Sequence, residues 1–113
     1  MDRRHYPRIT VADVQTDISD GKGFVQGTVE NISRSGLLID DIPGKIDSQC
    51  SKFFLVVNCG RKSCKLSVIP KWIHRSGSKA RMGVKILDAP WEWFKYVMDL
   101  EPQDTVIRAA VSF

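Results

Sequence analysis

FVQGTVENISRSGLLI, residues 24–39, is the stretch of the chain that decides the fold. Residues 24–32 are rich in aromatic and β-branched side chains, which favour a strand. Residues 33–36 read Ser-Arg-Ser-Gly, a combination typical of tight turns, and residues 37–39 are apolar again. The stretch therefore predicts two consecutive strands joined by a tight turn.

Further short apolar runs recur roughly every ten to fifteen residues, with turn residues between them. The other strand candidates are residues 9–14, 53–57, 64–68 and 82–86. Residues 40–51 are expected to form a loop, because Pro43 and Gly44 interrupt regular structure. Residues 74–79 read as a basic hairpin loop. This pattern is typical of an all-β barrel or sandwich.

The pattern changes after Pro90, where residues 91–100 favour a helix. Its apolar residues at helical spacing are Phe94, Val97 and Met98. Pro90 can start the helix, and Pro102 lies close to its end. We expect this helix to lie across an open end of the barrel, with Trp91 and Trp93 as plug residues.

The bulk composition is that of one small domain. The chain has 113 residues and a modest net charge of +4. Cys50, Cys59 and Cys64 are odd in number and match no common zinc spacing, so we expect reduced thiols that act as small hydrophobic residues. His5 and His74 have no second ligand at helical spacing, so no metal site is expected.

The sequence contains none of the common catalytic motifs, such as a zinc-protease HExxH or a glycine-rich phosphate loop. Asp40 and Asp41 are adjacent, and neighbouring strand residues point to opposite faces. We therefore expect a protein that is not an enzyme and uses no cofactor. No signal peptide opens the chain, and its longest apolar run, residues 53–57, is far short of a membrane span, so we expect a cytoplasmic protein.

Three arginines near the start form the first candidate site: Arg3, Arg4 and Arg8. A guanidinium group stays charged, fits phosphate oxygens with two parallel hydrogen bonds, and stacks on flat rings. Pro7 disfavours a helix there, so an extended or turned segment is expected. The alternative is a solvated basic start without a ligand.

The turn at residues 31–36 forms the second candidate site. Asn31 can read the edge of a base, Ser33 offers a hydroxyl, and Gly36 allows a close backbone approach. The alternative is an ordinary β-turn rich in Asn, Ser and Gly. Trp72 could lie near a ligand as well, although its place in a strand favours the core at least as strongly.

Taken together, the two sites resemble the paired motifs of the PilZ domain family. Arg4-x-x-x-Arg8 is similar to the family's arginine motif, with Arg3 giving the doubled form. Asn31, Ser33 and Gly36 occupy the fixed positions of its second motif. Residues 81–86 are similar to a glycine-containing late strand of the family.

The resemblance implies a six-stranded antiparallel β-barrel with a short C-terminal helix, as a single domain over residues 1–113. Its expected parts are an arginine segment at 1–8, a barrel at about 9–88, a helix at about 90–100 and a tail at 101–113. The tail could form a last strand or a partner-facing segment.

The resemblance also implies a stand-alone bacterial receptor for cyclic di-guanosine monophosphate (cyclic di-GMP). Arg4 and Arg8 would hold phosphates and stack on or donate to guanine, while Asn31, Ser33 and Gly36 would line the guanine edge. Arg3 would contact a second ligand molecule, giving two per chain. Binding would order the arginine segment and signal through an unidentified effector protein, with no nucleic acid and no membrane insertion involved.

Two other readings remain open. The chain could be a PilZ-like interaction module that binds no nucleotide. It could also be a small β-barrel that binds RNA or single-stranded DNA, since such barrels combine basic grooves with aromatic side chains.

Overall fold

Six antiparallel strands close into a barrel in the computed structural model, which describes residues 6–102. The strands are β1 (Ile9–Ser19), β2 (Phe24–Ile32), β3 (Gly36–Pro43), β4 (Phe53–Cys59), β5 (Lys62–Ser76) and β6 (Lys79–Asp88), followed by the helix α1 (Trp91–Leu100). Around the barrel their order is β1-β2-β3-β6-β5-β4. The expected all-β barrel with a short C-terminal helix is confirmed.

The core of the barrel follows from alternation along the strands. In β4, Phe53, Leu55, Val57 and Cys59 point inward and are buried, while Val56 and Asn58, which alternate with them, are exposed. The same alternation turns Ala80, Met82 and Val84 of β6 inward, and Gly83 between the last two is buried as well. Burial of these apolar side chains is the main source of stability for a domain of this size.

Helix α1 lies across the end of the barrel that contains the β2–β3 turn, which we call the lower end. Trp93 and Val97 point into the barrel and are completely buried, so Trp93 is a plug residue as expected. The same expectation for Trp91 was wrong, because its side chain is 66% exposed. Helical positions two apart lie about 200° apart around the axis, so both rings cannot face the core.

Ion pairs fix both ends of α1 to the barrel. Lys62, at the start of β5, lies 3.9 Å from Glu92, and Arg34 in the β2–β3 turn lies 2.7 Å from Glu101. The helix thus spans the lower end from one hairpin to another. Within residues 6–102, no helix has the length and apolar character needed to cross a lipid bilayer.

Several strands extend beyond the apolar runs that predicted them, because bulges let them change direction without ending. Residues 40–43 were expected in a loop but belong to β3, which contains a register shift between Ile39 and Ile42. Asp41 takes a positive φ of 54° there, and Ile42 is fully buried beyond the shift. A bulge thus returns an apolar side chain to the core.

The expectation of three reduced cysteines was wrong for two of them. Cys59 and Cys64 form a disulfide across the β4–β5 hairpin, with their Cα atoms 6.0 Å apart. In this hairpin Cys64 pairs with Val57 and Cys59 pairs with Lys62, so the two buried thiols are diagonal neighbours on the inner face. Cys50 is a free thiol, half-buried, with its Sγ 2.9 Å from the carbonyl oxygen of Lys52.

Candidate functional site

The pairing of β1 with β2 brings the two sequence motifs to one edge of the lower end. Ile9 pairs with Ile32 and Thr10 pairs with Asn31. Arg8 immediately precedes this pairing and is exposed, while Ser33 immediately follows it. Arg8, whose side chain is exposed, therefore lies beside the β2–β3 turn at the point where the chain enters the barrel. Two of the predicted site residues, Arg3 and Arg4, lie outside the described residues.

The hydroxyl of Ser33 organises the β2–β3 turn. Its Oγ accepts hydrogen bonds from the backbone N–H groups of Ser35 (3.2 Å) and Gly36 (3.1 Å). The backbone N–H of Ser33 also donates to the carbonyl oxygen of Gly36 at 2.9 Å. Ser33 is only 5% exposed. It would therefore contribute to a binding site at least in part by holding the turn in its shape.

Gly36 allows β3 to approach β6 closely. It pairs with Lys85, and a Cβ atom at this position would lie 2.5 Å from the carbonyl oxygen of Val84. Real Cβ atoms essentially never come so close to another heavy atom. The packing of β3 against β6 therefore requires glycine at this position. The sequence alone indicated only close approach to a ligand.

Asn31 lies on the outer face of β2. Its neighbour Ile32 is buried, and alternation turns the half-buried Asn31 outward. Among residues 6–102 its carboxamide has no hydrogen-bond partner. Both its donor and its acceptor are therefore available to a ligand.

Asn31 is the first residue of a row that runs across four strands on the outside of the barrel. Asn31 pairs with Leu38, Leu38 with Gly83, and Gly83 with Trp72. We call these four residues the outer row. The indole of Trp72 lies over Gly83, where any side chain would collide with its Nε1 at 2.5 Å. The indole of Trp72 and the carboxamide of Asn31 thus lie on the same outer face of the barrel.

Trp72 is a candidate site residue whose position the sequence reading did not resolve. It is 45% exposed, although alternation from the buried Cys64 and Leu66 would turn it inward. A register shift between Pro70 and Trp72 adds one residue to β5 and reverses the alternation. Pro70 within a strand was the available signal, since proline in sheets is confined to edges and bulges.

The two arginines of β5 and β6 are occupied by partners within the fold. Arg75 donates to the carbonyl oxygens of Gly44 and Ile46, which ties the β5–β6 hairpin to the loop before β4. Arg81 forms an ion pair with Glu30 at 2.8 Å, and this bond holds its pKa above the ordinary value. Lys85 is exposed and pairs with Gly36 of the turn motif.

Arg34 is the residue of the turn motif that makes the strongest contacts. Its Nε and Nη2 each donate to one oxygen of Glu101 at 2.7 Å, and its guanidinium carbon lies 4.8 Å from the ring centre of Tyr6. The hydrogen bonds to Glu101 are the largest cause of the raised pKa of Arg34. A groove with a volume of about 490 Å³ opens beside this cluster, lined by Tyr6, Arg34, Leu87, Trp91, Phe94 and Met98 among others.

Comparison with known proteins identifies the fold. No family model matches the chain, and no curated protein matches its sequence. Among solved structures, the chain is similar to the Bacillus subtilis inhibitor of motility (MotI/DgrA), with a TM-score of 0.71 and 16% sequence identity. The match covers 99% of this chain and 53% of that protein, so the chain spans about half its length. The likeness supports the PilZ-like fold that the two sequence motifs imply.

Proposed function

We propose that this protein is a receptor for cyclic di-GMP that acts as an adaptor and not as an enzyme. The ligand would bind on the lower part of the outer wall, between the arginine segment and the outer row. One observation carries the proposal: the β1–β2 register places Arg8 beside a turn whose Asn31 carboxamide is unpaired among the described residues.

The chemistry of the wall suits this ligand. Cyclic di-GMP carries two phosphates and two guanines, so it needs cationic forks, a hydrogen-bonding edge and flat surfaces. Arg8 would bind a phosphate, Asn31 would read a guanine edge, and Trp72 would stack on a base. A charge-assisted hydrogen bond contributes about 1.5–3 kcal/mol, and a stacked base contributes about 1–3 kcal/mol.

Arg3 and Arg4 complete the proposed arginine segment from outside the described residues. Arg4 would hold the second phosphate, and Arg3 would contact a second ligand molecule stacked on the first. This arrangement predicts two ligands per chain. Saturation at one ligand per chain in a calorimetric titration would rule out the second molecule.

The signal would pass through the arginine segment to an effector protein in the bacterial cytoplasm. Ligand would order the arginine segment, which precedes the β1–β2 pairing, against the barrel and so present a new surface. Hydrogen exchange of these backbone amides is the direct measurement. Exchange that stays the same with and without saturating ligand would contradict this output mechanism.

Isothermal titration with cyclic di-GMP tests the proposal directly. We expect Arg8→Ala to weaken binding about 10–100-fold, the effect of losing one charge-assisted contact. The matched control is Arg61→Ala, which removes the same charge from the exposed β4–β5 turn, away from the turn motif. Equal losses in both variants would indicate attraction by net charge alone and would contradict a specific site.

One alternative has structural support of its own. Ser33 stabilises its own turn and Gly36 is required by strand packing, so the second motif could persist in a PilZ-like interaction module without a ligand. Such a module would show no binding heat and no rise in melting temperature with cyclic di-GMP. Binding to polynucleotide that cyclic di-GMP does not displace would instead favour the nucleic-acid-binding reading.

A further inference from the structure

Arg34 joins two segments that are far apart in the sequence. One edge of its guanidinium is held by both oxygens of the Glu101 carboxylate, at 2.7 Å each. Its face is covered by the ring of Tyr6, 4.8 Å away. The side chain of Glu101 is 11% exposed and that of Arg34 is 31% exposed, so this bidentate pair is partly shielded from water. Shielding and the two-bond geometry together fix the plane on which Tyr6 rests.

Tyr6 occupies the middle of the arginine motif, two residues after Arg4 and two before Arg8. Two residues of extended chain span at most about 7 Å, so a fixed Tyr6 confines the described backbone between it and Arg8. An arginine segment confined in this way loses less conformational freedom when it closes on a ligand.

We propose that Arg34 is a positioning residue: through Tyr6 it holds the arginine segment next to the turn motif, and through Glu101 it couples that segment to the end of α1. The inference rests on the proposed function, because it assigns a role in the same site. Arg34 does not need to touch the ligand in this scheme. In this scheme Glu101, the residue that follows the last turn of α1, affects the binding of an anionic ligand.

The sign of the Glu101→Gln effect separates this role from simple electrostatics. Removal of a negative charge near the site would tighten binding of an anionic ligand if charge alone mattered. It would also tighten binding if the released Arg34 contacted a phosphate directly. Positioning predicts the reverse, because Arg34 loses its orientation and Tyr6 loses its support.

Affinity for cyclic di-GMP should be measured by calorimetry on the full chain carrying Tyr6→Leu, Tyr6→Phe or Glu101→Gln. We expect Tyr6→Leu to raise Kd about twofold to fivefold, the size of a partly exposed cation–π contact. Tyr6→Phe keeps the ring and recovers the larger part of the affinity. Glu101→Gln raises Kd as well, and tighter binding in this variant would overturn the proposal.

A second readout follows the coupling to the helix. In the wild type, saturating ligand slows amide exchange in residues 96–101, and Tyr6→Leu at saturation abolishes that change. Since Tyr6 is 38% exposed, this variant keeps its fold and decides the matter even if Glu101→Gln is unstable. If the wild type binds and Arg8→Ala weakens binding while Tyr6→Leu has no effect, only the positioning role fails. If the wild type shows no binding, both proposals fail.

Discussion

Replacement of Gly36 by alanine distinguishes a glycine required by the fold from a glycine required by a ligand. The new Cβ atom would lie 2.5 Å from the carbonyl oxygen of Val84, whereas ordinary contacts begin at 3.4 Å. β3 and β6 would have to separate locally by roughly 0.9 Å, a typical overpacking strain. The hydrogen bond from the N–H of Ile86 to the carbonyl oxygen of Ser35, now 2.8 Å, lies next to this point and would lengthen.

Such overpacking costs about 1–3 kcal/mol, which corresponds to a fall in Tm of roughly 5–15 °C for a domain of this size. We therefore expect Gly36→Ala to lower the urea midpoint and the Tm of the protein in the absence of any ligand. Gly23→Ala is the matched control, because a Cβ atom there meets nothing within 4 Å. The control should change the unfolding free energy by less than about 0.5 kcal/mol.

The result that would refute this reasoning is a Gly36→Ala protein as stable as the control. If that protein also bound cyclic di-GMP more weakly, the glycine would serve close approach of the ligand, as the sequence alone suggests. A destabilised protein that binds normally when folded would assign the glycine to the barrel.

Three further predictions concern stability. After unfolding, the oxidised chain should react with Ellman's reagent at one thiol, and the reduced chain at three. Reduction of the Cys59–Cys64 disulfide should lower the free energy of unfolding by about 2 kcal/mol, since the disulfide closes a short loop. Trp93→Ala should destabilise the protein by about 3–5 kcal/mol in urea unfolding, and Trp93→Phe by much less, because the buried Nε1–H has no partner among the described residues. Hydrogen bonds from the backbone N–H groups of Lys22 and Gly23 lower the pKa of Asp20, so the Asp20 carboxylate stabilises the fold above its ordinary pKa of 3.8 and loses that effect as the pH falls. The difference in unfolding free energy between wild type and Asp20→Ala should therefore shrink on acidification. A difference that grows would contradict this prediction.

The sequence was sufficient where one physical signal dominated. Aromatic and β-branched side chains flanked by turn residues gave β2 with its observed bounds, Phe24–Ile32, and helical spacing after Pro90 gave α1 as Trp91–Leu100. In α1 the helical spacing and the burial agree for Val97, Phe94 and Met98, and β2 keeps its bounds although its register shifts between Val29 and Asn31. The architecture could be inferred because each strand carried its own pattern.

The candidate site was less predictable because bulges and cross-chain contacts decide it. The extra residue in β5 turns Trp72 outward, and alternation cannot reveal it without the partner strand. The Arg34–Glu101 pair joins positions 67 residues apart, and nothing local marks either partner. The sequence indicated Ser33 and Gly36 as ligand-binding residues. In the structure each is also needed for the fold, because Ser33 holds the β2–β3 turn and Gly36 allows β3 to approach β6.

Two residues from the two ends of the described chain meet at one guanidinium, since Tyr6 lies on the face of the Arg34 group and Glu101 lies at its edge. A bulky label attached at Tyr6 or Glu101 would therefore crowd the region where ligand is proposed to bind. The β5–β6 hairpin, with exposed Gly77 and Ser78 at the opposite end of the barrel, is the better attachment point. A reporter placed there would leave the contacts of Arg34 with Tyr6 and Glu101 undisturbed during binding assays.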